Sequence, residues 1–412
     1  MLPGAMEAAQ EQPSAGGGHI FALGAVAFLI LLPVTLPVSV LRELVHDRFG
    51  VSELWTSLFM SINMVGAVFA APLAGALSDR LGRRRELLVA GLACDAALLF
   101  ALTLPIPFPL FMALRFVEGG AHIFALSLLL ALASASQPDA RRGRVMGMVG
   151  GGLTLGVAVG AALGGFLGRD DPLRPLQVGA LVAAAAATIS WRVLREPRGA
   201  GESTPSLDRI LAALRANPLL LAPLSFAFVD RFTVGFYTST FSLYLSRVHE
   251  LPPMRIGILI FIFMFPFAVF SYPFGRLSER RSPVAMVCVG SLIYGVGTAA
   301  VPWWPIDAIV VLMIGLGIAS AVMFVPSMVL TTNTAPPEIR GTALGAFNAF
   351  GSLGFIVGPA VGGLVSQQIA ATATWEAGYR AAFAVAGASE LTCVALTLPF
   401  LLRLVRRQRG RC

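Results

Sequence analysis

Long apolar runs separated by short charged segments set the pattern of this chain. Twelve runs fall near residues 20–41, 54–75, 87–104, 108–134, 143–168, 175–194, 218–245, 256–275, 283–301, 306–332, 341–366 and 379–402. Each is close to the ~20 residues that carry a helix across a hydrocarbon core of about 30 Å. The runs are continuous and do not alternate in ten-residue segments, which excludes a membrane barrel. The pattern predicts an all-α polytopic membrane protein with twelve transmembrane helices. A polar segment, 195–217, divides the runs into two sets of six. The expected organisation is a tail over 1–19, one six-helix bundle over 20–194, a linker over 195–217, a second bundle over 218–402 and a basic tail over 403–412.

Within the linker, Leu207, Ile210, Leu211 and Leu214 recur at helical spacing behind Ser206, a residue suited to an N-cap. This predicts a short amphipathic helix on the membrane surface.

Composition agrees: 56% of residues are hydrophobic and 13% charged, against roughly 25% charged in soluble domains. The net charge of +8 raises the question of nucleic acid, and the placement of the charge answers it. All 30 basic residues are arginine, and 21 of them fall in the termini-side segments near 80–85, 141–144, 192–215, 276–281, 340 and 403–411. The opposite side holds 7, from Arg42 to Arg380, while Arg115 and Arg231 lie inside runs. That bias follows the positive-inside rule and predicts cytoplasmic termini in a bacterial-type inner membrane. The basicity then serves topology and anionic lipid, with no nucleic-acid partner expected. Residues 1–18 carry Glu7 and Glu11 but no basic residue, so they read as a short tail and not as a cleaved signal peptide.

Lysine is missing altogether. A phosphate-binding loop needs one, so no standard ATP-hydrolysing site is expected, and Schiff-base chemistry is excluded with it. Gly150, Gly152 and Gly156 follow no strand and open a membrane run, which argues against a dinucleotide loop. Cys94, Cys288, Cys393 and Cys412 are scattered and predict neither a disulfide framework nor a metal cluster. No cofactor and no enzymatic activity are expected. Work done by this chain must draw on a gradient or on a partner.

The chain repeats itself. Gly75-Ala-Leu-Ser-Asp79-Arg80 aligns with Gly275-Arg-Leu-Ser-Glu279-Arg280, an offset of 200 residues. Gly156, Gly160, Gly164 and Gly165 align with Gly354, Gly358, Gly362 and Gly363 at an offset of 198.

The segment from Gly75 through Asp79, Arg80 and Gly82 to Arg83 and Arg84 resembles the G-x-L-(a)-D-R-x-G-R-(R/K) loop of the major facilitator superfamily, with its degenerate copy at Gly275, Glu279 and Arg280. The motifs are similar to those of the drug:proton antiporter-like twelve-span group. The resemblance implies two pseudo-symmetric bundles rocking about a midplane site lined by spans 1, 4, 7 and 10. It also implies a conformational latch at the loop, where Asp79 pairs with arginines or a helix terminus while the protein faces outward. Gly156 to Gly165 resemble the family's span 5 motif for close helix approach and bending. Ala161 stands at the motif's proline, whereas the second copy keeps Pro359.

Ionisable residues in cavity-lining spans are candidates for proton coupling. Arg115, Glu118 and His122 fall at i, i+3 and i+7, hence on one face, with Glu118 about ten residues, or roughly 15 Å, from the outer surface. Asp230 and Arg231 sit at similar depth in span 7. Asp95 and Glu390, in spans 3 and 12, are expected to be structural. The sequence supports secondary active transport, expected to be proton-coupled export of a small amphipathic or hydrophobic compound by a monomer. A facilitator or importer of a sugar or organic acid is the alternative.

Overall fold

The computed structural model describes residues 17–135, 139–196, 207–336 and 339–409; the side chains at 79, 139–144, 207, 279 and 403–409 lie outside what is described. In the first half, α1 (Gly17–Thr35) runs on through a 3-10 turn at Leu36–Val40 and a π turn at Arg42–Asp47, followed by α2 (Glu53–Leu81), α3 (Arg84–Ala101), α4 (Phe108–Ala135), α5 (Asp139–Leu167) and α6 (Arg174–Val193). A linker helix, α7 (Leu207–Ala216), leads to α8 (Leu221–Thr238), α9 (Thr240–Arg247), α10 (Pro253–Arg280), α11 (Pro283–Ala300), α12 (Ile309–Thr334), α13 (Arg340–Ala370) and α14 (Trp375–Arg409). Among the described residues, eleven spans are long and apolar enough to cross a membrane. The twelfth is α3, which carries Arg84, Arg85, Glu86 and Asp95 in 18 residues yet packs fully against α4 and α6.

The first span of each half is irregular at matching positions. Helices α8 and α9 form one span broken at Ser239, with φ −131° and ψ −71°. Thr238 and Ser239 both donate their hydroxyls to the Gly235 carbonyl at 3.0 Å, in competition with the backbone donor that would continue the helix. The first-half counterpart gives way at Leu36-Pro37, where proline removes a backbone donor.

The glycine copies do the same work in both halves. A Cβ at Gly156, Gly160 or Gly164 would overlap Phe28, Leu32 or Leu36 at the α1 side, and one at Gly354, Gly358 or Gly362 would overlap Phe228, Phe232 or Thr240 of α8 and α9. The last glycine of each set faces the other half: Gly165 abuts Pro253 and Gly363 abuts Ser57. Pro359 packs on Gly235, while the Ala161 carbonyl accepts a hydrogen bond from Ser39 at 2.7 Å.

Two helix pairings, α5 with α10 and α2 with α13, join the halves. Among the described residues, the hydrogen bonds between halves all lie toward the face opposite the termini. Ser242 donates to the Val38 carbonyl at 2.6 Å, Arg42 to the Ser246 carbonyl at 3.1 Å, the Leu54 amide to Gln367 at 3.0 Å and Ser61 to the Ile356 carbonyl at 2.7 Å. The far face is closed by these contacts.

In the linker helix, Ile210 and Leu214 pack with Leu224, Ala343 and Phe347 of the second bundle, while Leu211 is exposed. Ser206 lies outside the described residues.

Candidate functional site

Two buried polar clusters occupy the centres of the bundles. In the first, Arg115 and Glu118 of α4 form an ion pair at 2.7 Å, and Asn63 of α2 donates to the same Glu118 oxygen at 2.6 Å. His122 lies 3.4 Å from Asp95 of α3. All four ionisable groups are at most 1% exposed. The shared face read from the sequence is real, but it looks toward α2 and α3. Gly119 sets this by packing directly on the Asn63 backbone. Arg115 also lies over the Phe59 ring at 4.4 Å. The ion pair lies within α4, and the bonds that tie the cluster to its neighbours are those of Asn63 in α2 and Asp95 in α3.

In the second bundle Asp230 and Arg231 diverge, as adjacent helical residues must. Asp230 points into a narrow crevice lined by Phe226, Val287, Ser291, Met323, Phe324 and Ser327, which is too tight in this conformation to hold a water molecule or a substrate. Thr233, one turn on, places its hydroxyl 2.8 Å from the Asp230 carbonyl and 3.2 Å from Glu390 Oε1 of α14. Glu390 is fully buried and, among the described residues, joins no ion pair. Sequence reasoning set Glu390 aside as structural; the fold joins it to α8 through the Thr233 hydroxyl, which bonds the Asp230 backbone carbonyl and not its carboxylate.

Arg231 turns the other way. Its guanidinium lies 5.1 Å from the ring centres of both Phe324 and Phe347, and reaches Asn348 Oδ1 at 3.5 Å. Gly351 leaves the space it fills.

The charged loop after α2 is built as a cap. Gly82 takes φ 65°, a left-handed conformation suited to glycine at a helix C-terminus. Ser78 bonds the Gly75 carbonyl at 2.9 Å, and its repeat Ser278 bonds the Gly275 carbonyl at 2.7 Å. Arg83 pairs with Glu86 at 3.3 Å. The backbone amides of Arg84 and Arg85 donate to the two carboxylate oxygens of Glu196 at 2.9 and 2.8 Å, so an acidic residue beyond α6 caps α3. The second copy lacks a Gly82 equivalent and starts α11 on Ser282, whose hydroxyl accepts from the Ala285 amide at 3.4 Å. Arg80 lies in the last turn of α2 and Arg280 is the last residue of α10. The side chains of Asp79 and Glu279, on which the expected latch turns, lie outside the described residues.

At the far face, Arg247 of α9 meets Glu53 of α2 at 3.2 Å and His46 at 3.1 Å, and lies over the Trp375 ring at 4.1 Å. Tyr379 donates its hydroxyl to Glu53. Sequence reasoning missed this cluster: its members sit at the ends of different runs, and no local spacing links them.

Two bundles related by an internal repeat, each with a broken first span and a polar centre, define a polytopic transporter. The chain belongs to the Major Facilitator Superfamily, whose sequence profile it matches over residues 20–241 and again over 224–411. It is 26% identical over 434 residues to the magnetosome protein MamH of Paramagnetospirillum magneticum, covering 94% of each chain. It is 25% identical over 382 residues to the multidrug resistance protein MdtG of Serratia proteamaculans, covering 89% of this chain and 87% of that one. Its fold matches a bacterial homolog of the human lysosomal transporter Spinster, in an inward-facing, unoccupied conformation, with a TM-score of 0.81 at 16% identity over 93% of this chain and 96% of that one. The chain is thus a membrane transporter and not an enzyme.

Proposed function

We propose that the protein exports a small amphipathic or hydrophobic compound in exchange for protons, as a monomer in an inner membrane with both termini cytoplasmic. The observation that carries the reading is the Asp230 carboxyl, buried in mid-span beside a crevice and, among the described residues, without a cation in ion-pair contact. Intramembrane carboxyls are costly and mark ion pathways. Glu390 of α14, bonded to Thr233 one turn along α8 from Asp230, adds a second buried carboxyl near this level. The arginine bias supports cytoplasmic termini; on that orientation the closed far face is the outer one and the conformation is inward-facing. Likeness to a multidrug resistance protein supports export. The test is a proteoliposome assay with a pH-sensitive dye inside, challenged with a compound panel. Proton movement on addition of one compound supports the reading; substrate movement indifferent to pH gives way to the facilitator reading. That alternative draws on the Arg115–Glu118 pair, which is already neutralised and leaves the first bundle without a free carboxylate in span 4.

A further inference from the structure

We propose that Arg231 is the docking point for a negative group on the transported compound, so that the substrate is an organic anion with an apolar, planar body. This deepens the transport reading and rests on it.

The chain has two arginines inside its spans, and the structure treats them oppositely. Arg115 is sealed and locked on Glu118 at 2.7 Å. Arg231 is half-buried and, among the described residues, has no carboxylate within ion-pair distance, because its neighbour Asp230 points into the crevice on the other side of Phe324. Its hydrogen bonding is correspondingly incomplete. Asn348 Oδ1 at 3.5 Å is a long contact, and the buried Nη1 finds no partner among the described residues. A guanidinium presents five donors in a planar fork suited to a carboxylate or sulfonate, and an intramembrane arginine without a counter-charge is costly. A bound anion supplies the missing charge and acceptors together.

The surroundings say what else the ligand carries. Phe324 and Phe347 each lie 5.1 Å from the guanidinium, and their ring centres are 6.3 Å apart, so together they form an apolar wall on one side of the fork. An aromatic or otherwise flat body bonded end-on to Arg231 lies against these rings, whereas a cation is repelled by the unpaired guanidinium.

The depth is right for a substrate. The innermost hydrogen bond closing the halves runs from Ser61 to the Ile356 carbonyl. Asn348 and Gly351 precede Ile356 on α13 by eight and five residues, which places the Arg231 level roughly 7–12 Å below the closure on the side of the termini. Asn348 is exposed there. Gly351 is the positioning residue, since a Cβ at that point would overlap the Arg231 side chain.

The test is equilibrium binding to the purified full chain in detergent, by calorimetry with a micelle blank. The probes are aryl carboxylates and sulfonates, each compared with its neutral methyl ester and its aminomethyl cation. At least one acid is expected to bind tenfold or more tightly than its ester and its cation. Arg231→Gln removes that preference, Arg231→Lys restores part of it, and Gly351→Ala weakens the acid several-fold while sparing the ester. The proposal is overturned if no acid outbinds its ester, or if Arg231→Gln binds the acid unchanged. The acid-against-ester comparison uses the unaltered chain, so it decides even if a variant does not fold. Binding in detergent needs no gradient, so loss of proton coupling and loss of the anion site are read separately.

Discussion

Glu53 of α2 and Arg247 of α9 meet at 3.2 Å across the boundary between the two bundles, with Tyr379 donating to the same carboxylate. Among the described residues it is the ion pair that joins the halves: Glu53 is 1% exposed and Arg247 16%. Any conformation that opens the far face must separate them.

Glu53→Gln is therefore expected to favour opening of that face. A fully buried pair broken on one side costs about 3–5 kcal/mol; the partial exposure of Arg247 reduces this to about 1–3 kcal/mol, a roughly 5- to 150-fold change in the ratio of closed to open. Spin labels at Asp170 and Asp307, both exposed on the far side, should show a longer distance component in the variant. An unchanged distance distribution means the pair does not hold the face shut.

The loop cap gives a prediction about stability. Glu196→Ala removes the carboxylate on the Arg84 and Arg85 amides, at about 1 kcal/mol. Gly82→Ala forces a side chain to φ 65°, at about 1–2 kcal/mol. Both should lower the melting temperature of the purified protein, whereas Gly315→Ala, with open space around its Cβ position, should not lower it through a clash. Asp79→Asn should express normally and transport poorly, with Glu279→Gln milder; full transport by Asp79→Asn would reduce the loop to a cap and topology signal.

The glycine rows predict a positional contrast. Gly358→Val drives a side chain into the Phe232 backbone and should destabilise by about 1–3 kcal/mol, while Gly151→Ala, with nothing within reach, should be tolerated. Equal expression and melting of the two would show that close approach is not what these glycines provide.

Much of this was readable in advance, and the reasons it stopped are physical. Apolar run length gave the twelve spans, and the offset between Gly156 and Gly354 gave the two halves, because membrane thickness and backbone approach constrain sequence locally. The direction of the Arg115–Glu118–His122 face was not readable: helical periodicity puts residues on one side but does not say which neighbour that side meets. Thr233–Glu390 and Glu53–Arg247 join residues from distant spans, so no spacing announces them. The break at Ser239 has no proline or glycine at the site; it arises from two hydroxyls competing for one carbonyl. Glu196 lies in a polar linker where nothing marks it as a cap.

Topology is tested at the C-terminus. A membrane-impermeant maleimide should label Cys412 only from the cytoplasmic side; labelling in intact cells would invert the orientation and make the closed face the inner one.

The central claim is that a buried carboxyl in the second bundle couples substrate movement to protons. Its most direct test is uphill transport by purified protein in proteoliposomes under an imposed pH gradient, comparing the unaltered chain with Asp230→Asn. The account predicts that Asp230→Asn loses accumulation against the gradient while keeping downhill exchange. If Asp230→Asn still concentrates substrate as the unaltered chain does, coupling through this carboxyl is contradicted.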